Sequence, residues 1–345
     1  MKLMTYGCRG ALLCVLFAAL ELQAQRSFPG RQGGPGGRAP GGRAHTTVQS
    51  DGLKQLVPAT QTPPSANRVS IQIEGAQRVI RANSIPNHLT GSFPNRGNPH
   101  QIEVRQKTYR LPAEPKQNTT LTPAPMGPVG VAVNGVVFDP GAAEWYLGDR
   151  NSEWRYEPLA GAVRLGVDAN YAHVQPDGSY HYHGLPTGLL GQLGVNSGQH
   201  SPIVGWAADG FPIYALYGYE DPEDPSSPIV KLSSSYAVKS GARPSGEGQP
   251  GGTYDGTFVA DYEYVAAKAP LDAANGRFTV TPDFPEGTYA YFLTEEWPVI
   301  PRLFKGEPSQ DFARRGPGGF GGPQRGPGDG QPPRRFPGGG RPQRF

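Results

Sequence analysis

Of the seven histidines in the 345-residue chain, His173, His181 and His183 crowd one short stretch. It runs Asp168-Ala169-Asn170-Tyr171-Ala172-His173-Val174-Gln175-Pro176-Asp177-Gly178-Ser179-Tyr180-His181-Tyr182-His183-Gly184. Imidazole titrates near neutral pH and ligates transition metals through either ring nitrogen. The β-prone run Tyr180–His183 predicts a strand. Its period of two puts His181 and His183 on one face, with Tyr180 and Tyr182 on the other, where their rings can pack in the core. Pro176-Asp177-Gly178 predicts a turn that folds His173 back toward the histidine face. Three imidazoles, or two with Asp168 or Asp177, make an open site for zinc, copper or iron. The competing reading is three hydrogen-bonded core or surface histidines. Clustering beside Asp and Asn in a histidine-poor chain favours a site.

A second dense stretch runs from His200 through Ser201-Pro202-Ile203-Val204-Gly205-Trp206-Ala207-Ala208-Asp209-Gly210-Phe211-Pro212-Ile213 to Tyr214. Asp209, flanked by Trp206 and Phe211, needs a partner if buried, and a histidine N–H or a metal would serve. His200 and Asp209 therefore join the candidate ligands, against a plain turn-capping role for Asp209. Tyr214, Asp168, Asn170 and Asp177 are candidate supporting residues. Glu144 and the Glu295-Glu296 pair are weaker, and His88 and His100 read as exposed or loop-stabilising. Both cysteines, Cys8 and Cys14, lie in the first two dozen residues, so the rest of the chain offers only nitrogen and oxygen ligands. No Gly-x-Ser-x-Gly elbow or phosphate-cradling glycine loop is present.

The segments that bring these residues together are short. Lys2 and Arg9, the apolar run Gly10–Leu20 and Leu22-Gln23-Ala24 read as a secretory signal over 1–24, with an uncleaved anchor as the alternative. Residues 25–66 read as a Gly/Pro/Arg-rich disordered segment and linker, and 306–345 as a second disordered tail. Gly 49 and Pro 38 are concentrated in these ends. Arg26, Arg31, Arg38 and Arg43 meet no acid before residue 46, and beyond residue 313 seven arginines meet only Asp329. The net charge of +3 thus hides an acidic body, which argues against a folded nucleic-acid-binding domain. Hydrophobic residues at 36% and aromatics at 10% still permit a sizeable core.

Strands are predicted at 68–74 and 77–82 around Gly75, at 101–111, and in a hairpin over 129–138 turning at Asn134-Gly135. More follow at 179–183, 211–216, 257–265, 277–281 and 288–293. Residues 158–166 and 187–193 could each hold a helical turn or two. The fold class is mainly β: one large domain over 67–305, of short antiparallel strands with long ordered loops and few short helices.

Tyr180-His181-Tyr182-His183, preceded by His173-Val174-Gln175-Pro176-Asp177-Gly178, resembles the signature of the YHYH-domain family. Ser201–Tyr214 is similar to that family's second hallmark. Asn134-Gly135-Val136 with Phe138, and Asn275-Gly276-Arg277, fit its flanking motifs. The resemblance spans roughly 67–305 and implies an exported bacterial protein whose tyrosine–histidine motif is suspected of binding metal. Relatives often carry a pair of cysteines where this chain has Ala169 and Ala274, so a family disulfide does not carry over.

The residues support two functions. One is a secreted, periplasmic or cell-envelope protein binding copper, zinc or iron, with catalysis left open and any small-molecule substrate unspecified. The other is a non-enzymatic surface or matrix module for glycan, protein or anionic polymer. Membrane contact enters only through an uncleaved signal.

Overall fold

The computed structural model describes residues 46–313. The signal-like segment, the Gly/Pro/Arg-rich run to residue 45 and the tail from residue 314 lie outside the described residues, as do Cys8 and Cys14. Among the described residues no helix is long and apolar enough to cross a membrane.

Strand-forming runs bounded by turn residues assemble into two main sheets. The larger has eight strands in the order Gly276–Thr281, Phe284–Leu293, Pro212–Ala215, Gly205–Ala207, Gly130–Ala132, Val137–Phe138, Tyr180–Tyr182 and Ala172–Val174. Most neighbours are antiparallel, as expected. Two junctions depart from that: Pro212–Ala215 runs parallel to Phe284–Leu293, and Val137–Phe138 runs parallel to Tyr180–Tyr182. The smaller sheet orders Val69–Glu74, Gln77–Ala82 and Lys107–Pro112. Gly135 turns the Asn-Gly hairpin at φ 81°, a backbone state that asks for glycine.

Both sheets feed one core. Ile80, Tyr109 and Leu111 of the smaller sheet pack with Val131, Phe138, Tyr182, Ile213 and Tyr291 of the larger. Burying each such side chain is worth about 1.5–3 kcal/mol. A separate cluster of Trp154, Tyr156, Val163, Leu165 and Phe258 carries the long central loop.

The helical turns expected at 187–193 appear as Thr187–Gln192. Those expected at 158–166 do not form. Gly161 sits at φ 78°, and Ala162, Val163 and Leu165 are all buried, more than the single stripe of a short helix covers. The run at 101–111 enters a sheet only at Lys107, and a 3₁₀ turn at Val259–Asp261 reduces the 257–265 run to Tyr262–Tyr264.

Ordered chain also extends past both expected domain limits. Residues 46–66, expected as linker, dock by backbone pairing: the Val57 N–H donates to Val167 O, the Ala169 N–H donates to Val57 O, and Gln61 and Thr90 exchange hydrogen bonds. Beyond 305, the Ser309 N–H donates to Ala208 O, and Phe312 stacks on Tyr109 at 5.0 Å.

Candidate metal centre

The turn at Pro176-Asp177-Gly178 folds the chain back, and Ala172–Val174 pairs antiparallel with Tyr180–Tyr182 in a register that sets His173 opposite His181. The Asp177 carboxylate secures this turn by accepting from the Ser179 N–H at 2.9 Å, with Lys107 Nζ 3.5 Å away. His183 follows the strand on the same face as His181, and its N–H donates to Tyr171 O.

The three imidazoles converge. His183 Nε2 lies 3.0 Å from His181 Nε2 and 3.0 Å from His173 Nε2. Ring centroids are 4.6–4.7 Å apart and the planes are tilted by 63–75°, a three-bladed arrangement. All three residues are buried, and their nitrogens form a group of metal-ligating size. Four-coordinate zinc with Zn–N bonds of about 2.0–2.1 Å has ligand edges of roughly 3.3 Å, so the cluster needs only a small expansion.

Proton positions sharpen the point. His173 Nδ1 lies 2.8 Å from Leu165 O, and His181 Nδ1 lies 3.5 Å from Ser179 O. A carbonyl only accepts, so the short contact places the His173 proton on Nδ1, while the long Ser179 contact and the Gln175 amide donor 3.4 Å from His181 Nε2 favour the same tautomer for His181; both Nε2 atoms are then acceptors. His183 Nδ1 makes no well-formed hydrogen bond, and the backbone of Asp139 is a weak acceptor for its ring. If His183 carries its proton on Nε2, that one proton serves only one of its two 3.0 Å contacts. The other contact is left without a donor, and with the proton on Nδ1 instead both contacts set bare nitrogens face to face; a cation among the three relieves the mismatch in either case. Charging the rings instead is costly. Burial holds His181 and His183 well below the ordinary histidine range, and neighbouring imidazoles push them further down.

One side of the cluster opens into a cavity of about 150 Å³, whose wall includes Asp139, Glu144, Gln175, His100 and Met126. Gln175 Nε2 lies 3.3 Å from Asp139 Oδ2 and 3.4 Å from His181 Nε2. Three nitrogen ligands with an open side match the form of catalytic rather than closed structural metal sites. Asp139, Gln175 and His100 were not among the candidates. Val137 pairs in parallel with His181 and Phe138 with Tyr182, which brings Asp139 alongside His183. No local pattern signals a parallel pairing between segments so far apart in sequence. Glu144, a weaker candidate, does line the cavity.

The tyrosine face is a hydrogen-bonded lattice. Tyr180 OH donates to Asp168 Oδ2 at 2.6 Å, and the same carboxylate accepts from the Gly91 and Asn170 N–H groups. Asn170 bridges Leu89 O, Tyr180 OH and the Gly188 N–H. Tyr182 OH accepts from Asn134 Nδ2 at 2.9 Å and donates to His88 Nε2 at 2.7 Å, because Leu89 O holds the His88 proton on Nδ1. His88 is thus buried loop support, not an exposed residue. Asp168 and Asn170 support the strand from its tyrosine side, away from the imidazoles.

Two candidate ligands stand elsewhere. Asp209 accepts from Tyr291 OH at 2.5 Å and the Gly306 N–H at 2.8 Å, tying down the C-terminal segment, and burial raises its pKa. Its partner is a phenol rather than a histidine or a metal. His200 lies among Tyr214, Tyr219 and Phe292, with Nδ1–H donating to Ser201 O. Tyr214 packs on His200 and donates to Thr281 Oγ1, so it supports that cluster rather than the triad. Glu295 pairs with Lys231 at the surface.

Comparison with known families places residues 108–306 in the family described as YHYH protein. No curated protein and no solved structure matches.

Proposed function

Because the chain belongs to the YHYH protein family, we propose that the motif for which the family is named is the core of a metal centre: an exported metalloprotein holding one copper, zinc or iron ion through His173, His181 and His183. The observation that carries this reading is the meeting of three buried Nε2 atoms, two of them left as bare acceptors by carbonyl contacts to Nδ1. An ion held by His173, His181 and His183 would supply Lewis-acid chemistry, or redox chemistry were it copper or iron. The chain's own residues do the rest. Leu165 O and Ser179 O orient two rings, the tyrosine lattice fixes the strand, and Gln175 and Asp139 offer a donor and an acceptor on the open side to orient a small ligand. Export rests on the signal-like residues 1–24.

Metal analysis of the purified full chain tests the reading. About one ion per chain is expected, and none in the His181→Ala/His183→Ala double variant. Equal metal in both overturns it. The arginine-rich ends favour a second reading, a surface module held to anionic envelope polymer. Deletion of residues 314–345 that leaves envelope retention unchanged in low salt overturns that one.

A further inference from the structure

A second hollow adjoins the histidine cavity. It is a cleft of about 830 Å³ that shares Ala143 and Glu144 with its neighbour. It is an open groove rather than an enclosed pocket, with a volume on the scale of small-ligand sites. Trp145, Tyr146, Val48 and Leu147 line it, and the Tyr146 ring also packs edge-on against Phe258. Val48 is 55% exposed and Leu147 74%, so apolar surface stands in water at the cleft without cover from the described residues.

Leu147 sits at φ 52°, in the left-handed region, directly before Gly148 at φ 74°. Such a backbone costs a leucine about 1–2 kcal/mol and costs glycine almost nothing. The position tolerates this cost with its side chain in solvent, so packing within the protein does not account for a leucine there. Strain held at a cleft is the pattern of a ligand-binding segment. Arg150 adds a charge: exposed, its guanidinium lies 5.5 Å from the Trp145 ring centroid, and it pairs with no carboxylate among the described residues.

We propose that this cleft binds a small aromatic carboxylate, its ring on Trp145 and Tyr146 between Val48 and Leu147, and its carboxylate on Arg150. The chemistry selects this class. A sugar would set hydroxyls against Val48 and Leu147, which offer no hydrogen bond. A neutral hydrocarbon would gain nothing from the solvated guanidinium. The shared wall at Ala143 and Glu144 puts the ligand beside the histidine cavity, but none of the recognising side chains belongs to the triad, so the inference stands whether or not a metal binds.

Calorimetric titration of the metal-stripped full chain tests it, with 3-phenylpropanoate, 3-phenylpropanamide and maltohexaose as probes. The carboxylate is expected to bind more tightly than the amide, and the oligosaccharide not at all. Arg150→Gln should weaken the carboxylate about fivefold, the scale of one exposed ion pair, and leave the amide unchanged. Leu147→Gly relaxes the backbone while removing apolar wall, so it should weaken both without loss of fold. Absence of phenylpropanoate binding, equal affinity in Arg150→Gln, or binding of maltohexaose instead would overturn the proposal.

Discussion

The two faces of the Tyr180–His183 strand bury polar groups in opposite ways. On the tyrosine face donors and acceptors alternate: Tyr180 meets Asp168, and Tyr182 lies between Asn134 and His88. On the histidine face three ring nitrogens meet at 3.0 Å with at most one proton for two contacts. A satisfied network rigidifies a fold. A buried set of converging lone pairs is incomplete by itself and becomes complete with a cation. The same short motif therefore separates support from chemistry by strand alternation alone.

The largest effect that would sharpen this contrast is metal-linked stability. Metal at about a thousandfold over its dissociation constant should add about 4 kcal/mol to the unfolding free energy. Thermal unfolding should shift upward by several degrees in the native chain and by nothing in His181→Ala/His183→Ala. A shift in both would break the assignment of metal to that face.

Acid should act next. His181 and His183 are held below their ordinary range in the fold, so the unfolded chain binds more protons as pH drops below about 6.5. Stability of the metal-free protein is then full above that pH and is lost as pH falls toward the folded values. The expected loss is about 1.4 kcal/mol per pH unit for each of the two histidines. Denaturant titrations between pH 7 and pH 5 measure it, and replacing both histidines by alanine should flatten the slope.

The tyrosine face should respond without touching metal. Tyr180→Phe strips a hydroxyl donor from the buried Asp168 carboxylate and should cost about 2 kcal/mol, while metal content stays at the native level. Tyr182→Phe removes bonds only to neutral partners and should cost about 1 kcal/mol. Urea unfolding with parallel metal analysis reads both, and metal loss in Tyr180→Phe at native stability would break the division between faces.

Much of this was legible in the chain. The β-prone run at 180–183, the turn at 176–178 and the Asn134-Gly135 hairpin are local signals, and local geometry decided them. The His173–His181–His183 group followed, since one turn and a period of two suffice to assemble it. What misled was adjacency to aromatics. Asp209 and His200 have the residue types of ligands, yet Asp209 found Tyr291 and Gly306, and His200 a ring cluster, all through strands distant in sequence. Asp139 was missed for the converse reason. Nothing near it marks a parallel strand, whose pairing depends on a long crossover.

Local residue order thus set the strand, its two faces, the turn that returns His173, the absence of thiolate ligands from the body, and the acidic charge of the body between basic ends. Each depends on a few neighbouring residues or on composition. Long-range pairing set which side of the triad is open, that Asp139 and Gln175 border it, that Asp168 serves a tyrosine, and that the aromatic cleft lies next door. These depend on which distant backbones pair, and hydrophobic burial, being non-directional, leaves that choice to the packing of the whole chain.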